Sequence, residues 1–214
     1  DRTIASSPAS KVAYLDMRSL SLIATVTFDI NRTCPKNDCI FVDIGRSPTP
    51  FAAYFEYLKK PHLNLPLNSV YFREFAQLYS DGDEEKIEAH TEALYRYLEK
   101  FIAENEEKLR GKRIVFYDFV TSGKSLWKFR EMFLNLANKS LGRFENSQFV
   151  ALVDEKYFDQ YKYRGFDNLV GIPDEMMYLF YSSYFDQYAQ FESFNPAVDK
   201  NPTPIKDKFA SLVQ

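Results

Sequence analysis

Apolar and polar positions along this chain alternate between two periods. "CIFVDIG", Cys39 to Gly45, is a continuous apolar run with β-branched residues, bounded by Asp38 and the turn "GRSPTP". It predicts a strand buried on both faces. After Pro50 the spacing of Phe51, Tyr54, Phe55 and Leu58 becomes helical. "KRIVFYD" and "SQFVALVD" (Ser147 to Asp154) are two further buried strands, and "FDNLVGIP" (Phe166 to Pro173) is a short one. Between the first two of these lies an apolar-rich helical pattern running to about Ala137.

The segment "VAYLDMRSLSLIATVTFDI" fits either period and is read as mostly helical. "NSVYFREF", Asn68 to Phe75, is read as a second strand after the connection "KKPHLNLPL". A long helix follows near residues 83 to 110, capped by Ser80 or Asp81, with acids crowding its first turn and Gly111 stopping it. Strands alternating with helices imply a mainly parallel, doubly wound sheet. Residues 1–11 read as a loose arm, 12–194 as one domain, and 195–214 as a tail with three prolines.

Composition narrows the function classes. A net charge of -3 and a pI near 5.6 argue against broad binding to a nucleic-acid backbone. An anionic ligand must therefore be met locally. The longest apolar run, within "SLSLIATVTF", is too short and too polar to span a bilayer, so a soluble chain with no membrane partner is expected. The 20 Phe and 15 Tyr are assigned mainly to core filling. Cys34 and Cys39 lack a neighbouring His and cannot make a four-ligand zinc site, which leaves free thiols or one small-loop disulfide. The chain opens on Asp1 rather than Met, so a targeting segment could have been removed, and both cytoplasmic and exported locations stay open.

The candidate chemistry sits in "IVFYDFVTSGKSLWKF", where a strand ends in Asp118 and the turn Thr121-Ser122-Gly123-Lys124-Ser125 enters a helix. Unpaired backbone N–H groups and the positive end of the helix dipole make such a turn an anion site. Gly123 permits close backbone approach, the hydroxyls of Thr121, Ser122 and Ser125 can donate, and Lys124 adds charge, so phosphate is the natural ligand. A nucleoside-triphosphate loop would need a glycine five positions before Gly123, where Asp118 stands.

These residues resemble the signature of the type I phosphoribosyltransferases, a divergent member of which would carry a three-layer α/β fold with extra helices. The resemblance implies that Thr121 to Ser125 grip the 5-phosphate of phosphoribosyl pyrophosphate, and that Tyr117 and Asp118 stand where the family's acids meet the ribose. "FVDIGRSPTPFAAYF" is similar to the family's pyrophosphate loop, which would place Gly45, Arg46 and Ser47 on the diphosphate. Magnesium is implied by the resemblance alone, and no metal ligand is assigned within the chain. "VDEKYFDQYKYRGFDNLVGIPDEMMYLF" resembles the family's acceptor-binding hood, with Lys156 as a candidate contact.

The sequence departs from that pattern at three places. Tyr117 stands where the family has its first acid, and it brings no charge to help hold magnesium. Thr121 replaces an acid that acts as base in the purine-using branch, and an unactivated threonine is a poor general base. The long acidic helix fills the place of a mobile loop, and its apolar stripe favours packing over closure. His62 and His90 belong to no nucleophile-and-base pattern. The expected partner is a phosphorylated small molecule or nucleotide. Three readings result: a transferase using Asp118 for catalysis, an inactive binding or regulatory module, and an interaction domain with an unused pocket.

Overall fold

In the computed structural model, which describes residues 17–36, 38–45, 47–162, 164–177 and 196–197, five parallel strands are covered on both faces by helices. The strands are β1 (Cys39–Ile44), β2 (His62–Leu65), β3 (Arg113–Phe119), β4 (Gln148–Asp154) and β5 (Asn168–Ile172), in the order β2-β1-β3-β4-β5. The helices are α1 (Met17–Arg32), α2 (Thr49–Tyr57), α3 (Ser69–Asp81), α4 (Glu84–Glu104), α5 (Glu106–Leu109), α6 (Lys124–Ser140) and α7 (Phe158–Tyr161). Among the described residues no helix is long and apolar enough to cross a membrane. The arm at 1–11 lies outside the described residues, as does nearly all of the tail at 195–214.

Alternation along the buried strands divides the interior into two cores. Ile40, Val42, Ile114, Phe116, Phe149 and Ala151 share one with α3, α4 and α6. Phe41, Val115, Tyr117, Val150 and Leu152 share the other with Ile23, Val26 and Ile30 of α1 and Phe51 and Phe55 of α2. The aromatic residues pack as expected of core fillers. Phe116 lies 4.7 Å from Phe133 and 5.0 Å from Phe129, centroid to centroid, both edge to face, and 5.3 Å from Phe149 in a stack. Each such pair contributes about 0.5–1.5 kcal/mol beyond its buried area.

Two expectations from the sequence are corrected. Asn68 to Phe75 is the start of a helix, not a strand: the Asn68 side chain accepts from Val70 N–H at 2.9 Å, and Tyr71, Phe72 and Phe75 turn onto one core face. The second strand lies earlier, in the four residues His62–Leu65 within the proline-flanked connection. The long acidic helix also starts later than expected. Gly82 ends α3 in the left-handed conformation, and Asp83, not Ser80 or Asp81, caps α4 by accepting from Lys86 N–H at 3.1 Å.

Cys34 and Cys39 form a disulfide that ties the end of α1 to the start of β1, which settles the open choice between thiols and a bridge. Asp38 lies beside both sulfurs, but with the sulfurs bonded to each other the cluster offers no thiolate to a metal. His90 is buried in packing: its ring stacks on Tyr71 at 4.1 Å, its Nε2 lies 3.0 Å from Tyr71 O, and the Tyr71 hydroxyl donates to His90 O at 2.8 Å.

Candidate functional site

The strand order places a topological switch between β1 and β3. The chain leaves β1 toward β2 on one side and returns through β3 on the other. Open parallel sheets bind ligands in the crevice beyond the carboxyl ends of such strands. Both loops singled out from the sequence emerge there, the Gly45–Pro48 turn between β1 and α2 and the Val120–Gly123 turn between β3 and α6. β1 and β3 are hydrogen-bonded neighbours, with Asp43 in register with Tyr117.

The turn entering α6 is held from outside. Gly123 takes the left-handed conformation, with φ 74°, at the N-cap of α6. A side chain there would stand 3.2 Å from Phe166 Cζ and 3.6 Å from Tyr161 Cε1, so the glycine is needed for packing as well as for conformation. The Tyr161 hydroxyl donates to Thr121 O, and Arg164 donates to Ser122 O. The connection from β4 to β5 thus occupies two carbonyls of the turn. At the start of α6, Lys124 N–H is given to Ser122 Oγ at 3.4 Å and Trp127 N–H to Gly123 O at 2.9 Å, while Ser125 and Leu126 N–H have no intrahelical acceptor.

Beside this turn lies a cavity of about 1180 Å³. All five residues from Thr121 to Ser125 line it, facing a wall from α3 that includes Phe72, Arg73 and Phe75. Trp127 and Lys128 of α6, and Arg164 to Phe166, complete it. Four cationic side chains border the space, Arg73, Lys124, Lys128 and Arg164, and no acid does among the described residues. In a chain of net charge -3 this is a local reversal of sign that favours an anion. Lys128 is paired with Glu131 at 3.1 Å, whereas Arg73 and Lys124 have no ion-pair partner among the described residues.

Of the other sequence candidates, Tyr117, Asp118, Gly45, Ser47 and Lys156 do not border this cavity. Tyr117 is fully buried in the core beneath α1 and α2, and its hydroxyl has no hydrogen-bond partner among the described residues. Burial, and secondarily the nearby Asp43, holds that hydroxyl far above the usual tyrosine range. Asp118 is half-buried at the end of β3, and desolvation pushes its carboxyl well above the ordinary value, with Asp43 adding to the shift. The N–H of Gly45 is already given to Leu65 O at 2.9 Å, and its carbonyl accepts from Asn64 Nδ2 at 3.1 Å. Ser47 is half-buried, and Arg46 lies outside the described residues. Lys156 is paired with Asp174 on the exposed surface.

A buried acid went unremarked in the sequence. Asp43, fully buried in β1, accepts from Asn64 Nδ2 through one oxygen and has no partner for the other among the described residues. Desolvation raises its pKa to about 7, the Asn64 hydrogen bond opposing the shift. The available signal was a charged residue near the carboxyl end of an otherwise apolar strand. Arg73 escaped notice because its helix was read as a strand, while Trp127, Lys128 and Phe166 carry no motif.

A magnesium ion needs several hard, charged oxygens. Asp118 offers one carboxyl whose neutral form is favoured by burial, and Tyr117 points its hydroxyl into the opposite core. These residues do not fit a metal held by the chain itself. No protein-family model, curated protein or solved structure matches the chain.

Proposed function

We propose that this is a phosphoribosyltransferase-like protein that binds phosphoribosyl pyrophosphate or a nucleotide phosphate through Thr121 to Ser125. The carrying observation is the location of that turn. It caps a 17-residue helix at the switch point of a parallel sheet and borders a cavity with four cationic side chains. Backbone N–H groups and the Lys124 ammonium would hold the phosphate oxygens, while Ser122 and Ser125 supply hydroxyl donors.

In an active transferase Asp118 would meet the ribose and Arg46 the pyrophosphate, promoting loss of pyrophosphate by charge stabilisation. Three observations favour the second reading, a binding or regulatory module without transfer. Tyr117 is sealed from the sheet edge, Gly45 N–H is already bonded, and α4 packs its apolar stripe into the core where a mobile loop would be needed.

Titration calorimetry with phosphoribosyl pyrophosphate, with and without magnesium, tests the site. Wild type should bind, and Lys124→Ala should weaken binding about tenfold, the size expected for one charge-assisted contact. Absence of binding to wild type would remove the proposal. Pyrophosphate release in the presence of candidate acceptors separates the transferase from the module.

A further inference from the structure

The cavity is larger and less polar than a phosphate alone requires. Away from the Thr121–Ser125 turn, the walls are Phe72 and Phe75 of α3, with Ala76 and Tyr79 on the next turn, and Trp127 of α6. Trp127 is 45% exposed and Tyr79 72% exposed, so both rings are available to a ligand. Gly45 and Ser47, after β1, contribute none of this lining, and neither does Asp118. Apolar surface with a few convergent cations is the make-up of a small-molecule site, and rings offer contact area at little entropic cost.

We infer that the cavity takes an aryl or otherwise apolar organophosphate, with its phosphate on Thr121–Ser125 and its apolar body against Trp127 and the α3 wall. The inference rests on the phosphate reading of the turn and adds to it the chemistry of the rest of the ligand. Lys128 is already paired with Glu131, so Arg73 and Lys124 are the cations that a bound phosphate would neutralise. The ligand body then extends toward α3, and no contact with the turn after β1 is required.

Phenylphosphonate and methylphosphonate separate the two parts, because they share the anionic group and differ in the ring. Trp127 is the single tryptophan of the chain, so its fluorescence reports occupancy directly in the wild type, with calorimetry as the common readout for all variants. Wild type should bind the phenyl compound about tenfold tighter than the methyl one, the ratio expected for partial burial of one ring. Lys124→Ala should weaken both, and Trp127→Ala should remove most of the phenyl advantage. Should Trp127→Ala fold poorly, Ala76→Tyr at an exposed helical position narrows the same wall and must also reduce that advantage.

Equal affinity of the two phosphonates, both weakened by Lys124→Ala, would overturn the inference and leave the phosphate turn standing. Failure of both compounds to bind wild type would overturn the phosphate reading and the inference with it. Phenyl binding indifferent to Lys124→Ala would place the ligand off the turn and refute the proposed pose.

Discussion

Replacing Asp43 by asparagine should change how stability depends on pH. In the folded chain this carboxyl titrates near 7, against an ordinary value of 3.8, because burial penalises its charge more than the Asn64 hydrogen bond favours it. Below 3.8 both folded and unfolded chains hold the proton and the residue has no pH effect. Between 3.8 and about 7 the unfolded chain releases the proton while the folded chain keeps it. The folded state then binds more protons, so stability falls as pH rises, by about 1.4 kcal/mol per unit at most. Over the whole window the loss is on the order of 4 kcal/mol.

Asparagine keeps the acceptor for Asn64 and cannot ionise. It adds a buried amide donor, which costs about 1–3 kcal/mol if unpaired, but that cost is the same at every pH. The diagnostic is therefore the difference between variant and wild type as a function of pH, not its value at one pH. Urea unfolding at steps across the window, with the denaturant slope checked for constancy, measures it. The difference should move in favour of Asp43→Asn by roughly 4 kcal/mol from the acid end to the neutral end. Asp118, also raised by burial, contributes a slope of the same sign; because Asp43 adds to its shift, the variant lessens that slope and moves the difference in the same direction. Parallel profiles for the two proteins would refute the reasoning, and would mean that Asp43 is solvated or paired in the folded chain.

Gly45→Ala should destabilise by about 3 kcal/mol or more, because the residue sits at φ 68° and the new Cβ would lie 2.7 Å from the Leu67 carbonyl oxygen. Gly82→Ala, at φ 69° with nothing within 4 Å, should cost only about 1 kcal/mol, and chemical denaturation of the two variants checks the contrast. Replacing Cys34 and Cys39 together by serine should cost about 2 kcal/mol, the loop-closure value for a bridge spanning five positions, and reductant should produce a comparable fall in wild type alone. Phe116→Ala, at the centre of four packed rings, should cost about 3–5 kcal/mol, measured by thermal or urea unfolding.

The parallel sheet was legible because its strands are buried on both faces and write themselves as unbroken apolar runs. Cys39 to Ile44 and Gln148 to Asp154 are of this kind. The error at Asn68 to Phe75 has a local cause. Val70 and Phe72, two apart, fit a strand, while Tyr71, Phe72 and Phe75 fit a helix, and the continuation to Asp81 with the Asn68 cap decides for the helix. His62–Leu65 was missed because four residues between prolines read as a connection, and its pairing with β1 is set by tertiary contact. The Thr121–Ser125 turn was legible because an apolar strand, a short polar turn with a glycine and a helical pattern follow one another there. The cavity beside it was not, since its wall joins α3, α6 and the approach to β5, which are far apart in the chain.

The division of the sheet into two faces bears on whether chemistry accompanies binding. At the carboxyl ends of β1 and β3, alternation sends Asp43 and Tyr117 into the core under α1 and α2, where both are fully buried. The next residue, Asp118, turns by the same alternation toward the α6 side. None of the three borders the cavity beside the Thr121–Ser125 turn; the nearest to it in sequence is the half-buried Asp118. Its carboxyl favours the neutral form in the unliganded protein, which suits donation to a hydroxyl or phosphate oxygen better than stabilising a developing positive charge. Transfer would then need Asp118 both to reach the ligand and to ionise, and a bound phosphate would neutralise Lys124 rather than leave its charge to favour that ionisation. The balance of charge at the turn therefore supports holding a phosphate more readily than breaking a bond beside it.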